Sequence, residues 1–363
     1  LQINYYLNSI CKRLASNSDA YGDKFHFFIV KAPNINSFAG PAAYICIHTQ
    51  LILESENESQ LDSVLSHEIA HVSQRHLARA FDNSGQSTAL TIATLLAAIL
   101  VGTQDSQAGQ AVLMSGIAGS QQSSINFTRS NEYEADRVGI GILTATDINP
   151  QGMVEFFEIL LDQSSEGGIE YLRTHPLSSN RVSEAKNRIN ESSETLPTDT
   201  LDFQFTKARL IVMLSKKPEQ YLDDEVVGKG LIGQYQKALA AIRTHKPDIA
   251  IKILEKQSDK NNHPWVKLAL AEAYTSKNDD IAALNLLSSL AKLYPGYLPV
   301  TMAYVDALNK NNLPEMSINL LKKQLQTDDY AIIYKALANA YFANGQISAA
   351  LESTGNQYLR EGY

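Results

Sequence analysis

Apolar side chains recur every three or four positions from Ile3 to Leu14, a spacing that predicts an amphipathic helix. Residues 24–31 (KFHFFIVK) are aromatic and β-branched, and they predict a strand. Across residues 43–53, Tyr44, Cys46 and His48 alternate with Ile45, Ile47 and Thr49, the period of a half-buried strand. Residues 36–41 read as the loop between these two strands. Ser55 and Glu58 then fit a capping box that opens a long helix over about residues 56–81. Leu61, Val64, Leu65, Ile69 and Val72 form its apolar side.

Residues 191–200 (ESSETLPTDT) are polar with one proline and read as a linker. From about residue 205 every pattern is helical, and the pattern repeats. Ala273-Tyr274, Ala307-Leu308 and Ala340-Tyr341 are spaced by 34 and 33 residues, and Leu284, Ile318 and Leu351 keep the same two intervals. Each unit is a helix, a short turn (SKND, NKNN, ANGQ) and a second helix, the signature of tetratricopeptide repeats. A less regular unit precedes them at about residues 230–259, with Lys246-Pro247-Asp248 as its turn. Such units cannot bury their apolar faces alone, so they are expected to stack into a solenoid.

The length of 363 residues fits two or three domains. A net charge of −8 offers no cationic excess for phosphates, which excludes nucleic acid as the expected partner. Cys11 and Cys46 are too few for a disulfide scaffold or a thiolate metal cluster, and fit either one bridge or two buried thiols. The chain opens on Leu1 without the charged and apolar segments of a signal peptide, so it reads as a mature or trimmed chain. Its longest strongly apolar run, residues 89–101, falls short of the ~20 residues a spanning helix needs.

The chemistry concentrates on the long helix, at His67-Glu68-Ile69-Ala70-His71. Histidines four apart share a helix face and can grip one metal ion, while Glu68 is placed to take a proton from water. Composition alone produces such a string about once per hundred chains of this kind. A third ligand must come from elsewhere. Gln74 and Leu77 stand where a metzincin needs Gly and His, and His76 falls on a different helix face, as a structural polar residue. Asn131-Glu132-Tyr133-Glu134-Ala135-Asp136 offers carboxylates instead. Glu132 and Asp136 share a face, so Glu132 can bind the metal while Asp136 accepts the outer N–H of a liganding histidine. Glu134 points away and is expected to be solvated. Two imidazoles and a carboxylate suit one Zn2+ per chain.

These motifs, HEIAH followed by EYEAD, resemble the gluzincin family of HtpX and the CAAX prenyl endopeptidases. With the repeat array, and with Thr174-His175-Pro176 and Arg181, the whole chain resembles the periplasmic BepA-like group of that family. The resemblance implies an α+β zincin-like metalloprotease domain, mostly helical with a small sheet, over residues 1–195. An all-α tetratricopeptide-repeat solenoid follows over residues 205–363. It further implies a periplasmic zinc endopeptidase with Glu132 as third ligand, acting on unfolded or misassembled polypeptides. The implied partners are the outer-membrane β-barrel assembly machinery and the lipopolysaccharide transport barrel. One departure stands out: Ala42 and Ala43 occupy the places of two glycines that relatives usually carry.

His175, held extended by Pro176, is expected either to donate to the oxyanion or to occupy the metal's open position. Arg181 is expected to pair with Glu184 or another carboxylate. The strand at residues 43–49 is expected at a sheet edge, where an extended substrate can add by β-augmentation. Residues 83–128 carry a single charge, Asp105, and read as a buried helical hairpin, a lid, or a surface making peripheral contact with a membrane or partner. The competing reading of the whole chain is a non-proteolytic repeat scaffold or chaperone with a structural or latent zinc site.

Overall fold

The computed structural model describes residues 1–20, 25–83, 129–164, 170–189, 199–259 and 262–361. The segment expected as a hairpin, lid or contact surface lies outside the described residues from 84 to 128, and so does nearly all of the expected linker. The chain divides into two compact units, Leu1–Tyr5 with Gln204–Tyr363, and Tyr6–Phe203. No helix among the described residues is long and apolar enough to cross a membrane.

In the second of these units, α1 (Gln2–Ala15) buries Tyr6, Leu7, Ile10, Cys11 and Leu14 on the face its spacing predicts. A three-stranded sheet follows, made of β1 (His26–Val30), β2 (Ser37–Ala39) and β3 (Tyr44–His48). β3 is central, parallel to β1 and antiparallel to β2. The expectation of residues 43–49 as an edge strand is therefore corrected, because residues 37–39 of the supposed loop flank it as β2. The strand also stops at His48, where α2 (Thr49–Glu54) begins. Thr49 ends the extended run by exchanging hydrogen bonds with the backbone of Ala32 through its hydroxyl. Ala42 and Ala43, in the turn before β3, sit at φ 54 and 58. They hold a left-handed backbone that glycine would adopt with less strain. Cys11 and Cys46 are both buried free thiols.

The helix carrying HEIAH, α3 (Glu58–Ser73), starts later and ends sooner than its pattern predicts. Asn57, not Ser55, is its N-cap, accepting the Gln60 N–H, while Gln60 Oε1 accepts the Glu56 N–H. Ser55 instead donates back to the Leu51 carbonyl at the end of α2. The chain breaks at Arg75, which adopts φ 54, and resumes as α4 (His76–Asn83). Every residue from Glu58 to His71 is buried. Helices α5 (Arg129–Ala145) and α6 (Gln151–Ser164) and strand β2 pack around it.

Two glycines permit that close packing. A Cβ on Gly139 of α5 would lie 3.3 Å from both the His67 nitrogen and the Ser66 hydroxyl. One on Gly152 of α6 would lie 2.4 Å from the Ser59 carbonyl oxygen. The unit closes with α7 (Glu170–Thr174), α8 (Ser179–Ile189) and the start of α9 (Leu201–Leu214).

The other unit continues through α10 (Asp224–Val227), α11 (Leu231–Arg243) and α12 (Pro247–Ser258). It then runs through α13 (Pro264–Ser276), α14 (Asp280–Leu293), α15 (Leu298–Lys310), α16 (Pro314–Gln324), α17 (Ala331–Ala343) and α18 (Ile347–Glu361). From α11 onward these pair as helix-turn-helix units. His245, Asn278, Asn312 and Gly345 hold left-handed φ between the two helices of each pair. The next residue then donates its N–H five positions back, for example Asp279 to Tyr274 and Gln346 to Tyr341. This is the Schellman closure, and it explains Asn or Gly at these turns. It also moves the first turn to His245-Lys246, with Pro247 already the first residue of α12.

The Gly152 contact yields one expectation. Gly152→Ala gains helix propensity of about 1 kcal/mol, yet its methyl must push backbone against backbone. A net loss of about 1–3 kcal/mol follows, read as a melting temperature lower by several degrees, and an unchanged or raised value would contradict this packing. A second concerns Asp62 and Glu58, one turn apart and buried on α3. Burial raises the pKa of both carboxyls, Glu58 raises that of Asp62 further, and Arg13, 3.4 Å from Asp62, pulls both back. A carboxyl with a raised folded pKa stabilises the fold at low pH and loses that contribution as pH rises through the raised value. Asp62→Asn should therefore flatten the decline of melting temperature as pH rises above about 4, the ordinary carboxyl value. A decline as steep as in the unsubstituted protein refutes it.

Candidate metal centre

Four side chains from three separate stretches converge beside α3. His67 and His71 come from one face of that helix, Glu132 from the first turn of α5, and His175 from the residue after α7. One donor atom from each lies within 4.8 Å of all the others, and all four residues are buried. The His67 and His71 Nε2 atoms are 2.9 Å apart, and each is 3.5 Å from a Glu132 oxygen. His175 turns Nδ1 toward the group, 3.3 Å from His67 Nε2 and 3.3 Å from both Glu132 oxygens.

This donor set fits zinc. Three imidazole nitrogens and one carboxylate face each other with no hydrocarbon between them, at separations that a tetrahedral ion with bonds of about 2.0–2.2 Å would set. Without an ion, two nitrogen lone pairs at 2.9 Å need a shared proton, which makes their mutual approach poor as a purely structural contact.

The neighbours match the charges. Asp136 Oδ1 is 3.0 Å from His67 Nδ1, on the side away from the cluster. Arg181 grips Asp136 with two 2.7 Å hydrogen bonds and reaches Glu132 at 2.9 Å. Its partners are thus the two site carboxylates and not Glu184, which pairs with Arg188. The cation–carboxylate contacts decide the electrostatics. Burial works to raise the Glu132 carboxyl, but His175 and His67 overcome it and hold it far below the usual range. Burial likewise works to lower His67, and Asp136 and Glu132 overcome that to push it up to about 9. His71 is driven the other way, by burial and by the charge of His67.

Glu68, fully buried, faces His175 with Oε1 3.5 Å from its Nε2. Burial raises its carboxyl, partly countered by His175 and His67 and by the Ala39 backbone N–H on β2. In the ladder Asn36 accepts the His48 N–H and Gly40 donates to the Tyr44 carbonyl, which leaves the backbone groups of Ser37 and Ala39 facing away from β3, Ala39 toward this carboxylate. The free edge of β2, not of β3, therefore borders the site. Tyr171 of α7 stacks on the His175 ring at 4.6 Å, fixing the imidazole from behind.

His67, Glu68, His71, Glu132, His175 and Arg181 all meet here, as does Asp136 in the place expected for it. Glu134 is corrected: it is only partly exposed, 29%, and is bound by Arg79 and His76. His76 stays outside the donor set as a buried structural polar residue, as expected, but not on another face, since it touches His71, Nδ1 to Nδ1 at 2.8 Å. The pattern of residues 56–81 hid this contact, because a continuous helix would carry His76 to another face; nothing in the residue types at Gln74-Arg75 announces the break.

Comparison with known proteins agrees with this geometry. The model of peptidase family M48 matches residues 2–189. The chain is 33% identical to the beta-barrel assembly-enhancing protease of Escherichia coli, over 99% of this chain and 75% of that one. It is 36% identical to a putative beta-barrel assembly-enhancing protease of Vibrio cholerae, over 58% of this chain and 44% of that one. It is also 26% identical to the mitochondrial metalloendopeptidase OMA1 of Saccharomyces cerevisiae, over 49% of this chain and 51% of that one. The chain belongs to peptidase family M48 and is a zinc metalloendopeptidase.

Proposed function

We propose that His67, His71 and Glu132 hold the zinc ion, that Glu68 is the general base, and that His175 is a movable fourth donor. Bound zinc supplies a water pKa near 7 and a polarised carbonyl. Glu68 takes the proton from the attacking water and passes it to the leaving amine, a role its raised pKa suits. Asp136 and Arg181 keep His67 and Glu132 oriented throughout.

The observation that carries this reading is the meeting of His67, His71 and Glu132 around one point with Glu68 beside it. One further observation favours latency. With His175 Nδ1 in the donor set, four protein groups would surround a bound ion, which is the mark of a closed site. Withdrawal of His175 would leave room for water, so in this reading the peptidase is held shut until that residue moves. A permanently closed structural site, with the repeats acting alone, is the competing reading.

The substrate we assign is extended polypeptide, unfolded or misassembled, laid along the free edge of β2. Ala39 and Ser37 supply backbone hydrogen bonds there, which favours weak sequence preference. The name of the Escherichia coli relative supports β-barrel assembly as the process. The resemblance implies the periplasm as location, and the outer-membrane β-barrel assembly machinery and the lipopolysaccharide transport barrel as partners.

Zinc content and cleavage of an unfolded protein test the centre. Glu68→Gln is expected to keep one zinc and lose cleavage by about a thousandfold or more. Equal cleavage by Glu68→Gln and the unsubstituted enzyme removes the mechanism. His175→Ala is expected to cleave faster while binding zinc more weakly, and a loss of cleavage would show that His175 assists rather than blocks. For the substrate path, Ala39→Pro deletes the N–H nearest Glu68. It should raise KM for unfolded protein several-fold with zinc retained; unchanged KM excludes pairing at this edge.

A further inference from the structure

The two histidines of HEIAH are supported differently on their outer sides. His67 Nδ1 faces a carboxylate directly, Asp136, itself clamped by Arg181. His71 Nδ1 meets His76 Nδ1 at 2.8 Å. His76 in turn places Nε2 3.1 Å from Glu134 Oε2, and Arg79 reaches the same oxygen at 2.7 Å. His76 is fully buried, Glu134 is partly exposed, and Arg79 lies nearer solvent.

The proton positions along this line follow from the donor inventory. Glu134, already paired with the Arg79 guanidinium, accepts and does not donate. With a single ring proton, His76 carries it on Nε2 to donate to Glu134, which leaves Nδ1 as an acceptor. Across the 2.8 Å contact the donor is then the N–H at Nδ1 of His71, the tautomer a histidine needs to present Nε2 to a metal. That in turn leaves His71 Nε2 with its lone pair bare and aimed at Glu132 and His67.

We propose that His76 is a positioning residue of the metal centre, relaying the carboxylate of Glu134 to His71 so that His71 presents Nε2 to zinc. The inference rests on the reading of His71 as a ligand. The backbone break at Arg75 makes the relay geometrically attainable. With φ 54 there, the chain turns back and His76 opens α4 against the end of α3. The arrangement also gives the centre two unequal arms: an anion directly against one ligand, and a neutral imidazole between anion and ligand on the other.

The test measures zinc affinity by competition with a chromophoric chelator, and the absorption spectrum of the cobalt(II)-loaded protein. Four variants are compared with the unsubstituted chain. His71→Ala is expected to lose tight binding altogether; wild-type affinity there removes the ligand reading and this proposal with it. His76→Phe keeps ring volume but cannot accept or donate, and is expected to bind zinc 10- to 100-fold more weakly with an altered cobalt spectrum. His76→Gln can do both, and should restore affinity to within a few-fold and return the spectrum. Glu134→Ala, at the partly exposed end where folding is not at stake, should weaken zinc several-fold. The proposal is overturned if His76→Phe or Glu134→Ala binds zinc as tightly as the unsubstituted chain. It is equally overturned if His76→Gln is as weak as His76→Phe, since shape and not hydrogen bonding would then be what matters.

Discussion

Glu132 and Asp136 are two anions one helical turn apart on α5, both withdrawn from water, and that placement sets the terms for the rest of the catalytic unit. Isolated buried carboxylates are prohibitively unfavourable, so they persist only where cations and N–H groups surround them. Arg181 bridges the two, His67 bonds one and faces the other, and His175 meets the first. The chain must therefore return twice to α3 after leaving it, once with α5 and once with the α7–α8 segment. Gly139 and Gly152 exist in this scheme as the clearances that let the returning helices reach the helix they serve.

The same demand explains how a small sheet contributes. β2 lies against α3, and the strand that borders the Glu68 carboxylate is short, with Ala42 and Ala43 bending the backbone after it. The outward groups of Ser37 and Ala39 are left for something other than the sheet. Architecture and chemistry meet at that edge.

Much of this was legible in the residues. HEIAH and the Glu132/Asp136 pair declare themselves because metal ligation demands particular side chains at helical intervals. The repeats declare themselves because a left-handed turn every 33 or 34 residues forces Asn or Gly into register. Legibility failed where tertiary contacts overrode local pattern. The capping box at Ser55 and Glu58 lost to one at Asn57 and Gln60, whose partner atoms serve the start of α3 equally well. The alternation of Tyr44, Cys46 and His48 with Ile45 and Ile47 runs on to Thr49, yet Thr49 abandons the strand for bonds to Ala32 that no periodicity announces. The expected amphipathic stripe on α3 misled most, since Ser59, Gln60, Asp62, Ser63 and Ser66 face other protein as completely as Leu61 and Leu65 do. A polar residue within a buried helix looks, in sequence, the same as one facing solvent. His76 was hidden for the related reason that a left-handed arginine changes which face follows.

A helix enclosed on every side has no partial opening available to it. In proteins whose ligands sit on a surface element, a few turns can fray and release the ion while the domain stays folded. Here fraying of α3 would have to displace α5, α6 and β2 together, so His67 and His71 keep their places until the catalytic unit itself unfolds, and motion within the folded unit is left to groups carried by other segments, such as His175.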